Sequence, residues 1–460
     1  MSQNSARKQQ CPQVSHALSI SGRTQPTEPF LQFPDTFWSG CELTRLSDRH
    51  ATCRGETRTG QGLQNKGWYF RSRKSIAQSA KQFWRFEKYY TAMPKDIEIV
   101  CGRYIGDDQP CFVIAEIGQN HQGDIEIAKQ LIKTAKECGA DCVKLQKSCL
   151  KEKFTTGALS RIYEGPNSWG KTYGEHKEHL EFNIKQIKEL QDYAEKIVGI
   201  PFTASAMDWV SADELESLDV PFIKIGSGDT DNFPLLEHVA KKKRNLVLST
   251  GMQELWVVEE AYNIITKHLA SFVMLQCTSA YPTPPSEANL RVMEDYRARF
   301  PKAHIGLSCH EDGIAISIAA VALGAKVLER HITLSKTLRG SDHACSLEPQ
   351  GLRDLIQAVR CVEVAMGSPQ KSFLQCELPC KQKLGKSLVA SKSLSKGTKL
   401  NPERDICIKV SEPQGIPASQ YYLVKDCILL KNINIDEPIM ASDVERVHND
   451  DDSIKNLSIH

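Results

Sequence analysis

From residue 111 the chain alternates short apolar runs with helical patterns, eight times over, and this rhythm constrains the fold more than any other feature. The runs are CFVIAEIG (111–118), DCVKLQK (141–147), IPFTAS (200–205), PFIKIGSGD (221–229), NLVLST (245–250), FVMLQCTSAY (272–281), HIGLSCH (304–310) and KVLERHITL (326–334). Most are near-continuous apolar stretches, as parallel strands covered on both faces require. Segments such as IEIAKQLIKTAKECG and IKQIKELQDYAEKI lie between them, with apolar residues three and four apart. Eight such units predict an α/β fold, a (β/α)8 TIM barrel. An open doubly wound sheet usually has fewer strands and a Gly-rich first turn, and no GxGxxG follows the first run.

The pattern sets expected boundaries. The barrel covers 93–366, ending with a helix near 349–366, and a Gly/Ser/Pro/Lys-rich linker occupies 367–383. Residues 384–447 change texture to short β-type runs (SLVASKSL, ICIKV, CILLKNI) with turn signals at Lys396-Gly397 and Pro413-Gln414-Gly415, a small mostly-β domain. The tail 448–460 has no pattern. Residues 1–92 carry 14 Lys and Arg against 6 Asp and Glu, while the rest of the chain is net acidic. A nucleic-acid tail is one reading of that charge. The stretch has no sustained hydrophobic period and is broken by Gly, Pro and Ser, so it is expected to be a basic segment with no fold of its own, and no nucleic acid is expected as partner.

Composition narrows the class further. No apolar run approaches the length of a membrane span, and residues 1–30 lack the apolar stretch of a secretory signal. The 16 cysteines are scattered without a CxxC pair, and Cys111, Cys142 and Cys277 lie inside apolar patterns. That usage suits reduced, buried thiols and a cytoplasmic location. Cys376 and Cys380 have no second Cys/His pair nearby to complete a zinc site.

The carboxyl ends of the strands carry the chemistry, because the loops that follow them converge on one face of a barrel. The first run ends in Glu116, and the second offers Lys144 and Gln146 at period two, on one face. Thr203 follows, then Lys224, Ser227 and Asp229, then Ser249, Ser279, Tyr281, Ser308, His310 and His331. Each imidazole taken alone reads as hydrogen-bonded at a strand end, but two at adjacent strand ends can hold a metal. Lysines inside apolar strands must meet an anion, and a ring of Ser and Thr hydroxyls beside them describes a pocket for phosphate or carboxylate. Lysines paired with barrel carboxylates for structure are the competing reading.

The stretches AEIGQNHQGD, KECGADCVKLQKS, SWGKTYGEHKEHLEF, FIKIGSGDTDNFP, LQCTSAYPTPP and LGAKVLERHITL followed by GSDHACSLEP closely resemble the sialic acid synthases. The resemblance spans 93–447, and LGKSLVASKSLSKGTKL resembles that family's antifreeze-like (SAF, β-clip) domain. It implies a metal-assisted condensation of phosphoenolpyruvate with N-acetylmannosamine 6-phosphate, giving N-acetylneuraminate 9-phosphate and phosphate. On that reading Lys144, Thr203, Lys224, Ser227, Ser249, Ser279 and Ser308 hold phosphoenolpyruvate, although the family often has Asn where Ser279 stands. His310 and His331 hold the metal, and Glu116 acts in acid/base work. Gln146, Asp229, Tyr281 and Asp342 contact the sugar. The resemblance leaves open which carboxylate moves the proton.

Imidazole alone would suit zinc, but an oxygen-rich remainder and the resemblance favour Mn2+ or Mg2+. The resemblance further implies a domain-swapped homodimer in which the small domain covers the partner's active site. Bacterial relatives place an Arg there, whereas here the loop reads IKVSEPQG with Lys409. Met93, where the resemblance begins, is the expected start of the working enzyme. Two other readings remain: a related phosphoenolpyruvate-dependent 3-deoxy-sugar-acid phosphate synthase, and a non-catalytic antifreeze-like binding protein.

Overall fold

A computed structural model describes residues 94–100 and 102–446. The expectations for the basic segment 1–92, for Met93 and for the tail 448–460 lie outside the described residues. The described residues open with an antiparallel hairpin, β1 (Ile97–Val100) and β2 (Arg103–Ile105). Eight parallel strands then close on themselves: β3 (Phe112–Gly118), β4 (Cys142–Lys147), β5 (Phe202–Ala206), β6 (Ile223–Ile225), β7 (Leu246–Ser249), β8 (Phe272–Cys277), β9 (Ala303–Cys309) and β10 (Val327–His331). Each expected strand is present, and β10 pairs with β3 to complete the barrel.

A helix follows every barrel strand. These are α1 (Ile125–Cys138), α2 (Ile184–Asp192), α3 (Trp209–Ser217), α4 (Phe233–Lys241), α5 (Leu255–Thr266), α6 (Val292–Arg299), α7 (Ala315–Ala322) and α8 (Pro349–Met366). Their boundaries follow local chemistry. Asp124 caps α1 by accepting from the Glu126 and Ile127 amides, and Gly139 at φ +94° ends it in the left-handed conformation. Asn183 and Gln186 form a capping box at the start of α2.

Strand alternation divides the interior. Phe112, Ile114, Cys142, Phe222, Val247, Val273, Leu275 and Val327 fill the lower half of the barrel. The hairpin plugs that end with Ile97, Ile99 and Ile105. It is pinned where Asn245 Nδ2 donates to Glu98 O at 2.7 Å and His304 Nε2 meets Lys95 O at 2.9 Å. The sequence reading began its strands at 111 and did not include this hairpin, whose four- and three-residue strands are too short to show a period. Farther up, inward positions such as Glu116, Lys144, Lys224, Ser249, Ser308 and Glu329 are polar and form the opposite mouth.

Two expected strands end four residues earlier than read. β6 stops at Ile225, and Ser227–Asp229 form a 3-10 turn, because the glycines at 226 and 228 interrupt the run. β8 stops at Cys277, which leaves Ser279 and Tyr281 on the following loop. Residues 386–446 build a separate core from Leu388, Leu394, Leu400, Ile406, Ile416, Val424, Leu429, Ile433 and Ile439. Its pairs are β11 (Lys386–Ala390) with β12 (Ile406–Val410), and β13 (Ile428–Leu429) with β14 (Val444–Glu445). The stretch read as linker carries a short helix, Leu378–Leu384.

Phe112 is fully buried and meets Phe222 edge-on at 6.3 Å. Phe112→Ala should therefore cost about 3–5 kcal/mol of barrel stability through the cavity it leaves. A denaturant midpoint for the barrel transition within error of wild type would contradict this packing.

Candidate active site

Register places the mouth residues side by side. Glu116 stands opposite Lys144 on one neighbour and His331 on the other. Lys144 pairs with Thr203, Ser205 with Lys224, and Ser308 with Glu329. Lys144 and Lys224 are each 2% exposed, so neither ammonium has bulk water to offset its burial. Lys144 Nζ lies 2.8 Å from Glu116 Oε2 and 3.7 Å from Glu329 Oε1, and donates to Ser205 Oγ at 2.9 Å. Lys224 Nζ lies 3.6 Å from the same Glu329 oxygen, which also accepts from Ser308 Oγ at 3.1 Å. Gln146 Nε2 donates to Glu116 Oε1 at 3.2 Å.

The four charges are not equally satisfied. Burial works against the Lys144 ammonium, but Glu116 and Glu329 outweigh it and raise its pKa. Burial lowers the Lys224 pKa despite Glu329, and Lys144 repels it further. Burial also opposes the Glu329 charge, yet Lys144, Lys224 and His331 hold that carboxyl well below the usual range. Lys224 is thus the cation short of negative charge. A second anion placed beside it would complete the set.

The histidines sit at the next level. The His310 and His331 ring centroids are 5.4 Å apart, and the half-exposed Tyr281 ring lies 4.1 Å from His310. His310 Nδ1–H donates to Thr278 O at 3.2 Å, which leaves Nε2 as a free lone pair. Burial and the neighbouring His331 push the His310 pKa down to about 3, so the ring is neutral at physiological pH. His331 Nδ1 is buried without a hydrogen-bond partner, 4.0 Å from Asp342 Oδ2. A Cβ on Gly118 would stand 3.1 Å from His331 Cε1 and 3.4 Å from Asp342 Oδ2, so a side chain there would crowd this gap. Among the described residues no group of three or more His, Cys, Asp or Glu gathers as a metal cluster. Two imidazoles with ring nitrogens short of hydrogen-bond partners nevertheless fit a divalent ion that keeps its remaining positions for water and substrate oxygens.

The remaining expected residues divide. Ser227 Oγ accepts from Gly251 N at 3.0 Å. A Cβ on Gly251 would fall 2.3 Å from Ser279 Oγ and 2.8 Å from Ser227 Oγ, so these two hydroxyls close around a glycine-lined cradle. Ser249 Oγ is buried with no hydrogen-bond partner. Asp229 is half-buried on the loop after β6. Thr203 is in the layer, but its hydroxyl donates to Phe222 O at 2.5 Å and is spoken for. Ser205, two residues on, takes the lysine contact.

Sequence reasoning missed Ser205 and Glu329. The signal for Glu329 was present: it stands two residues before His331 and therefore on the same inward face. Behind the site, fully buried Arg330 donates from Nη1 to Glu311 Oε1 at 3.1 Å and from Nη2 to Glu311 O at 2.9 Å, which anchors the residue after His310.

Residues 131–371 match the model of the NeuB family. The chain belongs to the NeuB family. An N-acetylneuraminate-9-phosphate synthase of Mus musculus is 54% identical over 353 residues, covering 77% of this chain and 98% of that protein. An N,N'-diacetyllegionaminic acid synthase of Campylobacter jejuni is 38% identical, covering 71% of this chain and 98% of its own. The crystal structure of the N-acetylneuraminic acid (sialic acid) synthetase of Leptospira borgpetersenii, in complex with citrate, superposes with a TM-score of 0.54 at 30% identity. It covers 63% of this chain and 96% of its own.

Glu329→Gln leaves two buried ammoniums sharing one carboxylate and should cost about 3–5 kcal/mol at neutral pH. The folded-state carboxyl is held low, so this stabilisation is complete above the unfolded value near about pH 4.3 and disappears as the pH falls below it. The gap between variant and wild type should therefore narrow in acid. A gap that is absent at pH 7, or that widens in acid, would contradict the pairing.

Proposed function

We propose that this chain condenses phosphoenolpyruvate with N-acetylmannosamine 6-phosphate and water, releasing N-acetylneuraminate 9-phosphate and inorganic phosphate. The observation that carries the reading is the convergence of two buried lysines and two buried histidines on one barrel mouth. Membership of a family whose relatives include sugar-acid synthases supports it.

Phosphoenolpyruvate carries a carboxylate and a phosphate on three carbons, so it needs closely spaced cations and hydroxyls. Lys224, short of negative charge, and Lys144 receive its anionic oxygens, while Ser227, Ser249, Ser279 and Ser308 supply hydroxyls around them. Thr203 contributes by fixing the adjoining backbone. Gln146, Asp229, Tyr281 and Asp342 hold the open-chain sugar with its aldehyde toward the histidines. His310 and His331 would hold Mn2+ or Mg2+, which would supply Lewis-acid polarisation of that aldehyde. The enol C3 forms a bond to the aldehyde carbon, and the Glu116 carboxylate takes the proton released as water adds to C2 and returns it to the new alkoxide. Water captures the positive charge at C2, and the tetrahedral intermediate breaks its C–O bond to phosphate.

The 386–446 unit is read as the antifreeze-like domain, covering the mouth of a partner in a domain-swapped homodimer. Its Lys409 is exposed and pairs with Asp436. The described cysteines are free thiols, and no described helix is long and apolar enough to cross a membrane. Both are compatible with the cytoplasmic setting proposed here.

Phosphate release should require both substrates, stop with chelator and return with Mn2+. His310→Ala and His331→Ala should each retain less than about a tenth of turnover in a folded barrel. Chelator-resistant turnover would end the two-histidine assignment. Separately, Lys224→Met should weaken phosphoenolpyruvate binding by about 2–4 kcal/mol while leaving sugar affinity within a few-fold. Equal losses for both substrates, read by calorimetry, would show that the lysine is not the anion ligand.

A further inference from the structure

The loop joining β4 to α2 carries cations that no carboxylate neutralises. Lys147, at the end of β4, is fully paired: it sits 3.0 Å from Glu181 and 3.5 Å from Glu214. Lys153 and Lys177 are different. Lys153 Nζ points at the Met207 sulfur and lies 5.3 Å from the Phe154 ring centroid. Lys177 Nζ donates to Gln119 Oε1 at 3.0 Å and lies 5.5 Å from the Tyr173 ring. Both are half-buried, and neither forms an ion pair among the described residues. Arg161, on the same loop, lies 4.0 Å over the Tyr173 ring.

The nearby carboxylates are committed elsewhere. Glu181 accepts from Lys147 Nζ, from Ser148 N at 2.9 Å and from Ser148 Oγ at 2.7 Å. Asp208 caps α3 through Ser211 and also accepts from Cys149 N at 2.6 Å. Burial lowers the pKa of both lysines, and the charge of Lys153 lowers that of Lys177 further, so the two ammoniums feel each other. Lys153 also feels Asp229, and Lys177 feels Asp342. Met207 follows β5 and Gln119 follows β3, so the two lysines reach the loops at the carboxyl ends of the barrel strands. Half-buried, mutually repelling ammoniums that meet a thioether and an amide are set for an anion from outside the chain.

We propose that Lys153 and Lys177, with Arg161 behind them, form a subsite for a phosphate at the far end of the acceptor sugar, distinct from the phosphoenolpyruvate pocket around Lys144 and Lys224. The inference rests on the proposed condensation for its substrate and names the residues that make a phosphorylated acceptor preferred. With the aldehyde at the histidines and the hydroxyls on Asp229 and Asp342, the sixth carbon runs outward toward this loop. A monoester dianion there neutralises both lysines and removes their repulsion.

The test compares N-acetylmannosamine 6-phosphate with unphosphorylated N-acetylmannosamine in the full chain with Mn2+. Lys153→Gln and Lys177→Gln should each lower kcat/KM for the phosphorylated sugar by about tenfold or more. Turnover of the unphosphorylated sugar and the KM for phosphoenolpyruvate should change less than about threefold. The double variant should abolish the preference between the two sugars. Equal falls for both sugars, or no fall for the phosphorylated one, would overturn the subsite; if the double variant fails to fold, the single variants decide. Calorimetric binding of the two sugars to wild type separates this from the condensation itself. Tighter binding of the phosphorylated sugar, lost in both single variants, without phosphate release from phosphoenolpyruvate would keep the subsite and refute the synthase reading. Equal affinity for the two sugars would refute the subsite.

Discussion

Glu329 is the pivot of the barrel mouth. One oxygen of this buried carboxylate stands within 3.7 Å of Lys144 and 3.6 Å of Lys224 while accepting from Ser308. Without it, parallel register would drive two ammoniums into a dry interior facing one another. With it, the mouth holds its cations ready but incompletely neutralised. Glu116 serves Lys144 directly at 2.8 Å, which leaves Lys224 with the weaker share. The lysines are therefore paired with barrel carboxylates, and the proposed function draws on the shortfall this leaves at Lys224.

That arrangement explains the division of labour along the barrel axis. The lower interior is largely apolar, with buried His304 meeting the hairpin that plugs it, so it supplies rigidity. One layer up, charges lock the strand ends in place. Above them the His310 and His331 rings face one another with nitrogens short of partners, and the loops after β4, β6, β8 and β10 carry Lys177, Asp229, Tyr281 and Asp342. Arg330, on the opposite face of β10 from Glu329 and His331, grips Glu311 and so steadies the loop that begins at His310.

The architecture was legible because eight apolar runs cannot be buried on both faces in many other ways. Strand-end chemistry was legible where a polar residue interrupts an apolar run, as at Lys144, Lys224 and His310. It was less legible where charge recurs on both faces of a strand. In VLERH, Glu329 points inward and Arg330 outward, and in VKLQK, Lys144 points inward while Lys147 meets Glu181 and Glu214 outside. Periodicity assigns those faces but does not say which charge meets which. Thr203 and Ser205 share a face, and only the contact distances separate the hydroxyl that takes Lys144 from the one bound to Phe222 O. Ser227 and Asp229 lay beyond a glycine-broken strand end, where periodicity stops applying.

A crystal structure with phosphoenolpyruvate and Mn2+ bound tests this account most directly. It should place Lys224 Nζ and Lys144 Nζ within hydrogen-bond distance of phosphoenolpyruvate oxygens, with the ion on His310 and His331 and Glu329 still beneath the lysines. Phosphoenolpyruvate bound away from the mouth, with both lysines still satisfied by Glu116 and Glu329 alone, would contradict it.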